Sequence, residues 1–380
     1  MTEAFAPLGE ADRLVFEAIH RSRELSRARI ADLTGLAPPI VTLAARALIA
    51  RGLVIELPAL RGGRGQPARP LAINPEGGYT FGIIFTARRV TAGLLDLTGD
   101  LLSQETALIE RFSISELLRT TRTLIARLQR QAGIDAARVL GIGVNVPATA
   151  SSQTGYFHTH DYFAEMRGLD LLGRLRAELP FPVVIETDPI CAAIGERLHG
   201  VGRNFDNFFQ IHIAFRYGGT LMLNGRPYRG AHGNAGVIGI VFPVDQPRPS
   251  GQDLLEHLSR AGVDVEDFAD LTHLDQYSCA PLVEWLDRAA SQLGRSIELV
   301  SRFFDPEAIV IGGRIPAVLI KALLKRIDLD KVFDYSKHIA IPAILPSALA
   351  EKAGLIGAAS APLLSFLVSA HPHGRFAHAG

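Results

Sequence analysis

The chain is 380 residues long, 48% hydrophobic and 21% charged, with 39 basic side chains balanced by 39 acidic ones. That is the composition of a soluble protein of two or three domains. Two cysteines, Cys191 and Cys279, exclude a disulfide framework and a thiolate zinc cluster. No basic-then-apolar leader opens the chain, so the expected compartment is the cytoplasm.

Residues 1–75 predict a winged helix-turn-helix. ADRLVFEAIHRS reads as a first helix with Leu14, Ala18 and Ile19 on one face. LSRARIADLTGL is a second, capped by Ser26 and broken at Thr34-Gly35. A third, from about Pro38 to Ala50, repeats apolar residues at Ile40, Leu43, Ala44, Ala47 and Leu48, with Gly52 as its stop. LVIEL is then a strand, RGGRGQPAR a mobile wing and PLAIN a returning strand. Such a unit reads the major groove, one helix entering it while the other braces on the backbone.

The expected DNA contacts are Pro39, Thr42 and Arg46 on the third helix, with Arg61, Arg64, Gly65 and Arg69 in the wing. The wing arginines fall in a stretch with no acid, and its glycines let the backbone approach phosphate or the minor-groove floor. A merely solvated basic loop is the bland alternative. Residues 1–75 hold ten Arg, no Lys and seven acids, a net charge of +3, which leaves −3 on the rest of a neutral chain. So mild a bias implies two or more heads acting together.

From Tyr79 strands alternate with helices. YTFGIIF and VTAGLLDLTGDLL predict a hairpin-like pair turning at Asp96 to Asp100, SELLRTTRTLIARLQRQ a helix, VLGIGVNVP a buried strand and GLDLLGRLRAEL another helix. PVVIETD is a strand ending at Asp188, followed by the helix PICAAIGERLHG. A second set opens with NFFQIHIAF and TLMLNGRPYRG, runs through helices near 252–270 and 280–303, and reaches the strand AIVIGG. Two α/β halves with a cleft fit this order. Ala353 to Ala370 carries no charge, but its Gly, Ala, Ser and Pro362 predict a buried helix rather than a membrane span. The tail HPHGRFAHAG, 371–380, is expected to be disordered.

LMLNGRPYRGAHGNAG, from Leu221 to Gly236, resembles the signature block of the ROK family (repressors, uncharacterised frames and sugar kinases). VVIETD before a helix resembles that family's segment bearing the catalytic Asp. GIGVNVP, LLDLTGDLL, AIVIGG and AGLIGAA fall in family order, so the resemblance spans essentially the whole chain, with the winged head of the repressor branch. It implies an α/β architecture: the winged helix-turn-helix followed by a two-lobed actin-like (ribonuclease-H-like) ATPase fold with sugar binding in the cleft. The first lobe is expected at 76–189 plus 354–370 and the second at 190–353.

A sugar kinase of this fold needs glycine-rich hairpins at the ATP phosphates, a carboxylate for magnesium and an Asp as base. Ile84, Phe85, Thr86, Ala87 and Arg88 replace the family's D-x-G-G-T loop, and Ala214, Phe215 and Arg216 replace its G-T-G. Side chains are expected where phosphates would lie, so no catalytic residue and no cofactor is assigned. Gly312 and Gly313 remain, which close packing explains equally well. Ile240 replaces the zinc-linked His and PVDQPRPSGQD lacks the cysteine cluster, so no metal is expected. His158 and His160, at i and i+2 on a strand, would share a face, yet no third ligand follows at a fixed spacing. Cys191 reads as a buried helix residue.

Asp188 matches the family's base. Followed by Pro189, it also reads as a helix N-cap, and the two roles are compatible. Of the family's sugar ligands, Val237 replaces a Glu and Ile240 the His. Glu256 aligns with a last Glu, Asp161 falls near a family Asn, and His232 and Asn234 stay in the signature block. The implied ligand set is Asp161, Asp188, His232, Asn234 and Glu256, in a cleft suited to a modified or less polar sugar. The leading reading is a DNA-binding repressor whose body oligomerises, as a homodimer or homotetramer, and senses a sugar-like effector. Its partners are a double-stranded operator and that effector, with no membrane. A carbohydrate kinase with a fused DNA-binding head is the alternative, opposed by Ile84, Thr86 and Ala87. A ligand-blind DNA-binding scaffold is a third reading, supported by apolar Val237 and Ile240.

Overall fold

Three helices form where the sequence supplies both an apolar face and a stop: α1 (Glu10–Ser22), α2 (Arg27–Thr34) and α3 (Pro38–Ala50). The computed structural model to which they belong describes residues 5–58, 69–151, 153, 155–243, 245–334 and 339–367. The Ser26 hydroxyl accepts the Arg29 amide at 3.3 Å to cap α2, and Gly35, left-handed at φ 70°, ends it. The chain then turns by 114° into α3, within the range of a helix-turn-helix. Pro38 and Pro39 open α3, where the missing amides have no intrahelical partner to lose.

Val15, Phe16 and Ile19 of α1 pack with Ile30 of α2 and with Val41, Ala44, Ala45 and Leu48 of α3, all buried. Ile19, Ala44 and Leu48 are thus buried as expected, and the rest of the expected faces is corrected. Ile40 and Leu43 are 45% and 71% exposed, and Leu14 and Ala18 are only half-buried. α3 is apolar almost all round, and α1 settles on the side where two small alanines admit close approach. Strands β1 (Glu24–Leu25), β2 (Val54–Glu56) and β3 (Leu71–Ile73) make an antiparallel sheet in the order β1-β3-β2. The wing residues Arg61, Arg64 and Gly65 lie outside the described residues.

The chain divides into two units, one running to Glu186 and resuming at Ala358, the other Thr187–Gly357. Beyond the head, the first unit holds β4 (Tyr79–Phe85), β5 (Arg89–Asp96), β6 (Leu101–Leu108), α4 (Ile114–Ala132), β7 (Val139–Val146), the short ribbon β8 (Thr149–Ala150) with β9 (Phe157–His158), α5 (Leu171–Glu178) and β10 (Val183–Thr187). Its main sheet has the order β10-β7-β4-β5-β6. The expected strand pair is in fact a three-stranded meander. Asp96 Oδ1 accepts the Thr98 and Asp100 amides at 2.8 and 3.1 Å, folding LLDLTGDLL back on itself. Phe81, Ile83, Phe85, Ile142 and Val144 pack there against Leu117, Leu118 and Ile125 of α4.

The second unit repeats the plan. It comprises α6 (Asp188–His199), β11 (Phe208–Ile213), β12 (Tyr217–Leu223), β13 (Arg226–Tyr228), α7 (Gly251–Arg260), α8 (Ala280–Phe304), β14 (Ala308–Gly313), α9 (Ala317–Arg326), α10 (Leu329–Val332) and β15 (Ala343–Pro346). The strand order is β13-β12-β11-β14-β15, with β14 parallel to both β11 and β15. Phe209, Ile211 and Ile213 face α7, α8 and α9 through Leu254, Trp285, Leu286 and Leu319. Alternate residues Phe208, Met222 and Val310 face Ala193 of α6. The helix expected over 252–270 ends at Arg260, because Gly262 adopts φ 81° and stops it. α11 (Ala353–Leu367) is largely buried, and no single described helix is long and apolar enough to cross a membrane. The tail 371–380 lies outside the described residues.

Candidate functional site

On α3, Pro39, Thr42 and Arg46 stand at i, i+3 and i+7, which places them on one side of the helix. Pro39 and Arg46 are exposed and Thr42 is half-buried, its hydroxyl donating to the Pro38 carbonyl at 2.9 Å. Arg69 is exposed at the foot of the wing. It lies 4.0 Å from Glu56, which already holds Arg27 at 2.5 Å. So loose a surface pair contributes little, which leaves Arg69 available to phosphate.

In the second unit, the polar groups gather where parallel strands β11 and β14 end. Asp188 is the first residue of α6, and Thr187 holds the N-cap position without a side-chain bond. The N-cap position expected for Asp188 is therefore Thr187's, because β10 runs directly into α6 and Asp188 is already its first helical residue. Asp188 accepts from Arg314 Nη2 at 2.8 Å, with the two side chains only 15% and 19% exposed. Arg314 follows Gly313 at the end of β14, and Gly312 is in register with His212 of β11. On its other side His212 faces Gly218 of β12. A Cβ at Gly218 would meet only Pro189 of α6, at 3.6 Å.

His212 is buried, and neither of its ring nitrogens has a hydrogen-bond partner among the described residues. Gln210 Oε1 and Thr220 Oγ1, on the same sheet face, are likewise unpartnered. Burial drives the imidazole pKa down to about 4, with Asp188 opposing the fall and Arg314 adding to it. At neutral pH the trio is therefore an ion pair beside a neutral histidine. It can exchange hydrogen bonds with a neutral hydroxyl, and Asp188 is already engaged by Arg314.

The lowered His212 pKa has a sign that can be measured. Below its unfolded value of about 6.5 the unfolded chain binds a proton that the folded one refuses until pH about 4. Stability is therefore lost as pH falls through that window. Between pH 7.5 and pH 5 the wild type is expected to lose about 2 kcal/mol more than His212→Gln. Urea unfolding of both proteins at the two pH values measures this. Equal losses would show that His212 protonates freely in the fold.

The two loops expected to stand in place of the family's phosphate loops are closed by their own bonds. In the first, the Thr86 amide donates to Arg89 O at 2.9 Å and the Arg88 amide to Thr86 Oγ1 at 3.3 Å. Phe85 turns inward to stack on Phe112, with centroids 5.5 Å apart, while Arg88 points to solvent. In the second, the Ala214 amide donates to Arg216 O, and the carbonyls of Ala214 and Phe215 accept the Gly251 and Gln252 amides that open α7. Amides consumed in this way cannot cradle a phosphate.

The remaining expected ligands lie on other elements. His232 and Asn234 are exposed in a loop whose Gly236, at φ 88°, packs on β12, where a Cβ would lie 2.5 Å from Gly219 O. That loop and the start of α6 thus approach neighbouring residues of β12. Glu256 is exposed on α7 and paired with Arg260 at 2.8 Å. Asp161, in the first unit, is exposed and paired with Arg167, whose hydrogen bond holds the carboxyl below the usual range. A cavity of about 370 Å³ there is lined by Tyr156, His158 and Arg167 among others. β9 ends at His158, and His160 caps the next turn by accepting the Tyr162 amide at 3.3 Å, so the two do not share a strand as expected. Among the described residues no cluster of three or more His, Cys, Asp or Glu is placed to hold a metal.

Sequence reasoning passed over Arg314 and His212. The signal for His212 was the alternation in FFQIHI, where polar Gln210 and His212 interrupt an otherwise buried strand.

Two sheets of matching strand order, each continued by helices, define an α/β protein with the actin-like ATPase fold. The chain belongs to the ROK family, whose profile matches residues 80–362. It is 30% identical over 369 residues to the uncharacterised protein y4fQ of Sinorhizobium fredii, covering 97% of this chain and 94% of that one. It is 23% identical to the xylose repressor of Bacillus subtilis over 93% of this chain and 95% of the repressor. Among solved structures, a ROK family transcriptional regulator described as a homologue of the Escherichia coli Mlc protein superposes with TM-score 0.68 at 21% identity, covering 94% and 97% of the two chains. ROK glucokinases are also among the relatives.

Proposed function

We propose that this chain is a DNA-binding transcriptional regulator, acting as a repressor, whose kinase-like body is catalytically inactive and senses a sugar or sugar derivative. The observation that carries the reading is the outward side of α3. It presents Pro39, Thr42 and Arg46 with no carboxylate, on a helix turned 114° from its brace. Repressors for xylose and for N-acetylglucosamine among the relatives support a sugar-class effector. Asp188, with His232 and Asn234 on the loop packed nearby, would accept its hydroxyl protons, and Arg314 and His212 would donate to its oxygens. Glu256, on the same unit, completes the set proposed there. The regulator is proposed to work in the cytoplasm as a homodimer or homotetramer, its paired heads spanning two half-sites. Selection of a random duplex library by the full-length protein tests the reading. A recurring two-fold motif is expected, and a pool without any enriched sequence would contradict it.

A further inference from the structure

α3 presents more to its partner than polar contacts. Leu43 is 71% exposed and Ile40 45%, on the side of the helix that carries Pro39, Thr42 and Arg46, while Val41, Ala44, Ala45 and Leu48 are buried. Single exposed leucines are common on protein surfaces and need no explanation. This one lies between Thr42 and Arg46, on a helix that contains no Asn, Gln, Asp, Glu or Lys. The usual bidentate reader of adenine, an Asn or Gln amide, is therefore absent from α3, and so is the carboxylate that accepts from cytosine. The Thr42 hydroxyl hydrogen is committed to Pro38 O, which leaves that oxygen only as an acceptor. The one apolar group that base pairs present in the major groove is the C5-methyl of thymine.

We infer that Leu43 is a specificity-determining residue, which reads a thymine methyl in the operator while Arg46, three residues on, anchors the helix to guanine or phosphate. Ile40, one turn earlier, widens the same apolar contact. The inference rests on the DNA-binding reading above and names the chemistry of its base contact. Burying one methyl against leucine is worth about fivefold in affinity. Because Leu43 is 71% exposed, removing it tests recognition far more than folding.

The test uses the duplex obtained from the random library. Deoxyuridine replaces thymine at one position at a time, and binding of wild type and Leu43→Ala is measured by fluorescence anisotropy. At one position per half-site, the wild type is expected to bind the deoxyuridine duplex about fivefold more weakly. Leu43→Ala is expected to bind the thymine and deoxyuridine duplexes equally, weakened at each of its two half-sites by the about fivefold that deoxyuridine costs the wild type at one. Indifference of the wild type to every substitution would overturn the inference, as would thymine dependence that persists unchanged in Leu43→Ala. Failure of the library to yield any site would overturn the DNA-binding reading itself, which is a separate outcome.

Discussion

Replacing Gly357 by alanine is expected to destabilise the second unit by at least about 3 kcal/mol. The reason lies in how α11 meets α6. A Cβ on Gly357 would sit 1.6 Å from the Cys191 carbonyl oxygen and 2.4 Å from its carbon, with the Gly195 amide at 3.0 Å. These are backbone atoms of a buried helix, so no side chain can swing aside, and the helices must separate. Separation opens space around Cys191, Ala192 and Leu355, which are buried, and lost packing adds to the strain. Against a total stability of about 5–15 kcal/mol, such a loss is severe. The control is Gly218→Ala, whose Cβ would meet Pro189 at an ordinary 3.6 Å. Urea unfolding followed by circular dichroism reads both variants. Gly357→Ala unfolding at the wild-type midpoint would remove this account of the glycine in AGLIGAA.

A second large effect is an expected absence of chemistry. Kinases of comparable type turn over about 1–100 times per second. This chain, given ATP, magnesium and glucose, xylose or N-acetylglucosamine, is expected to fall at least a thousandfold below that range, roughly 4 kcal/mol of missing transition-state stabilisation. Two features combine. The Thr86, Arg88 and Ala214 amides are spent within their own loops, and Asp188 is paired with Arg314, where a base would need a free carboxylate. A coupled assay measures it. Turnover of about 1 per second or faster, abolished by Asp188→Asn, would place the chain with the kinases.

The helices of the head are legible in the sequence because their ends are punctuated. Ser26 and Gly35 bound the second, and Pro38 opens the third. Which side of the third helix is buried is not legible, because Ile40, Leu43 and Ala47 repeat as well as Val41, Ala44 and Leu48 do. Only contact with α1 breaks the tie. In LLDLTGDLL the turn from Asp96 to Asp100 is legible from its Asp, Thr and Gly, but that it separates two strands, which make a meander with YTFGIIF and not a pair, is not. The site shows the same division. Asp188 is visible as a strand-ending acid, but its partner Arg314 lies 126 residues away, beyond any local pattern. The Asp161–Arg167 pair is equally invisible to periodicity, because it joins the exposed ends of a 3-10 helix too short to show any.

The central claim is that this ROK chain acts through duplex DNA, and salt-dependent binding tests it most directly. Anisotropy titrations of the full-length protein on its selected duplex, from 50 to 200 mM salt, should give a steeply negative slope of log affinity against log salt. Arg46→Ala and Arg64→Ala should each weaken binding about tenfold, and the wing variant should reduce the slope by about one. Affinities that ignore salt, and that are unchanged in both variants, would contradict the account.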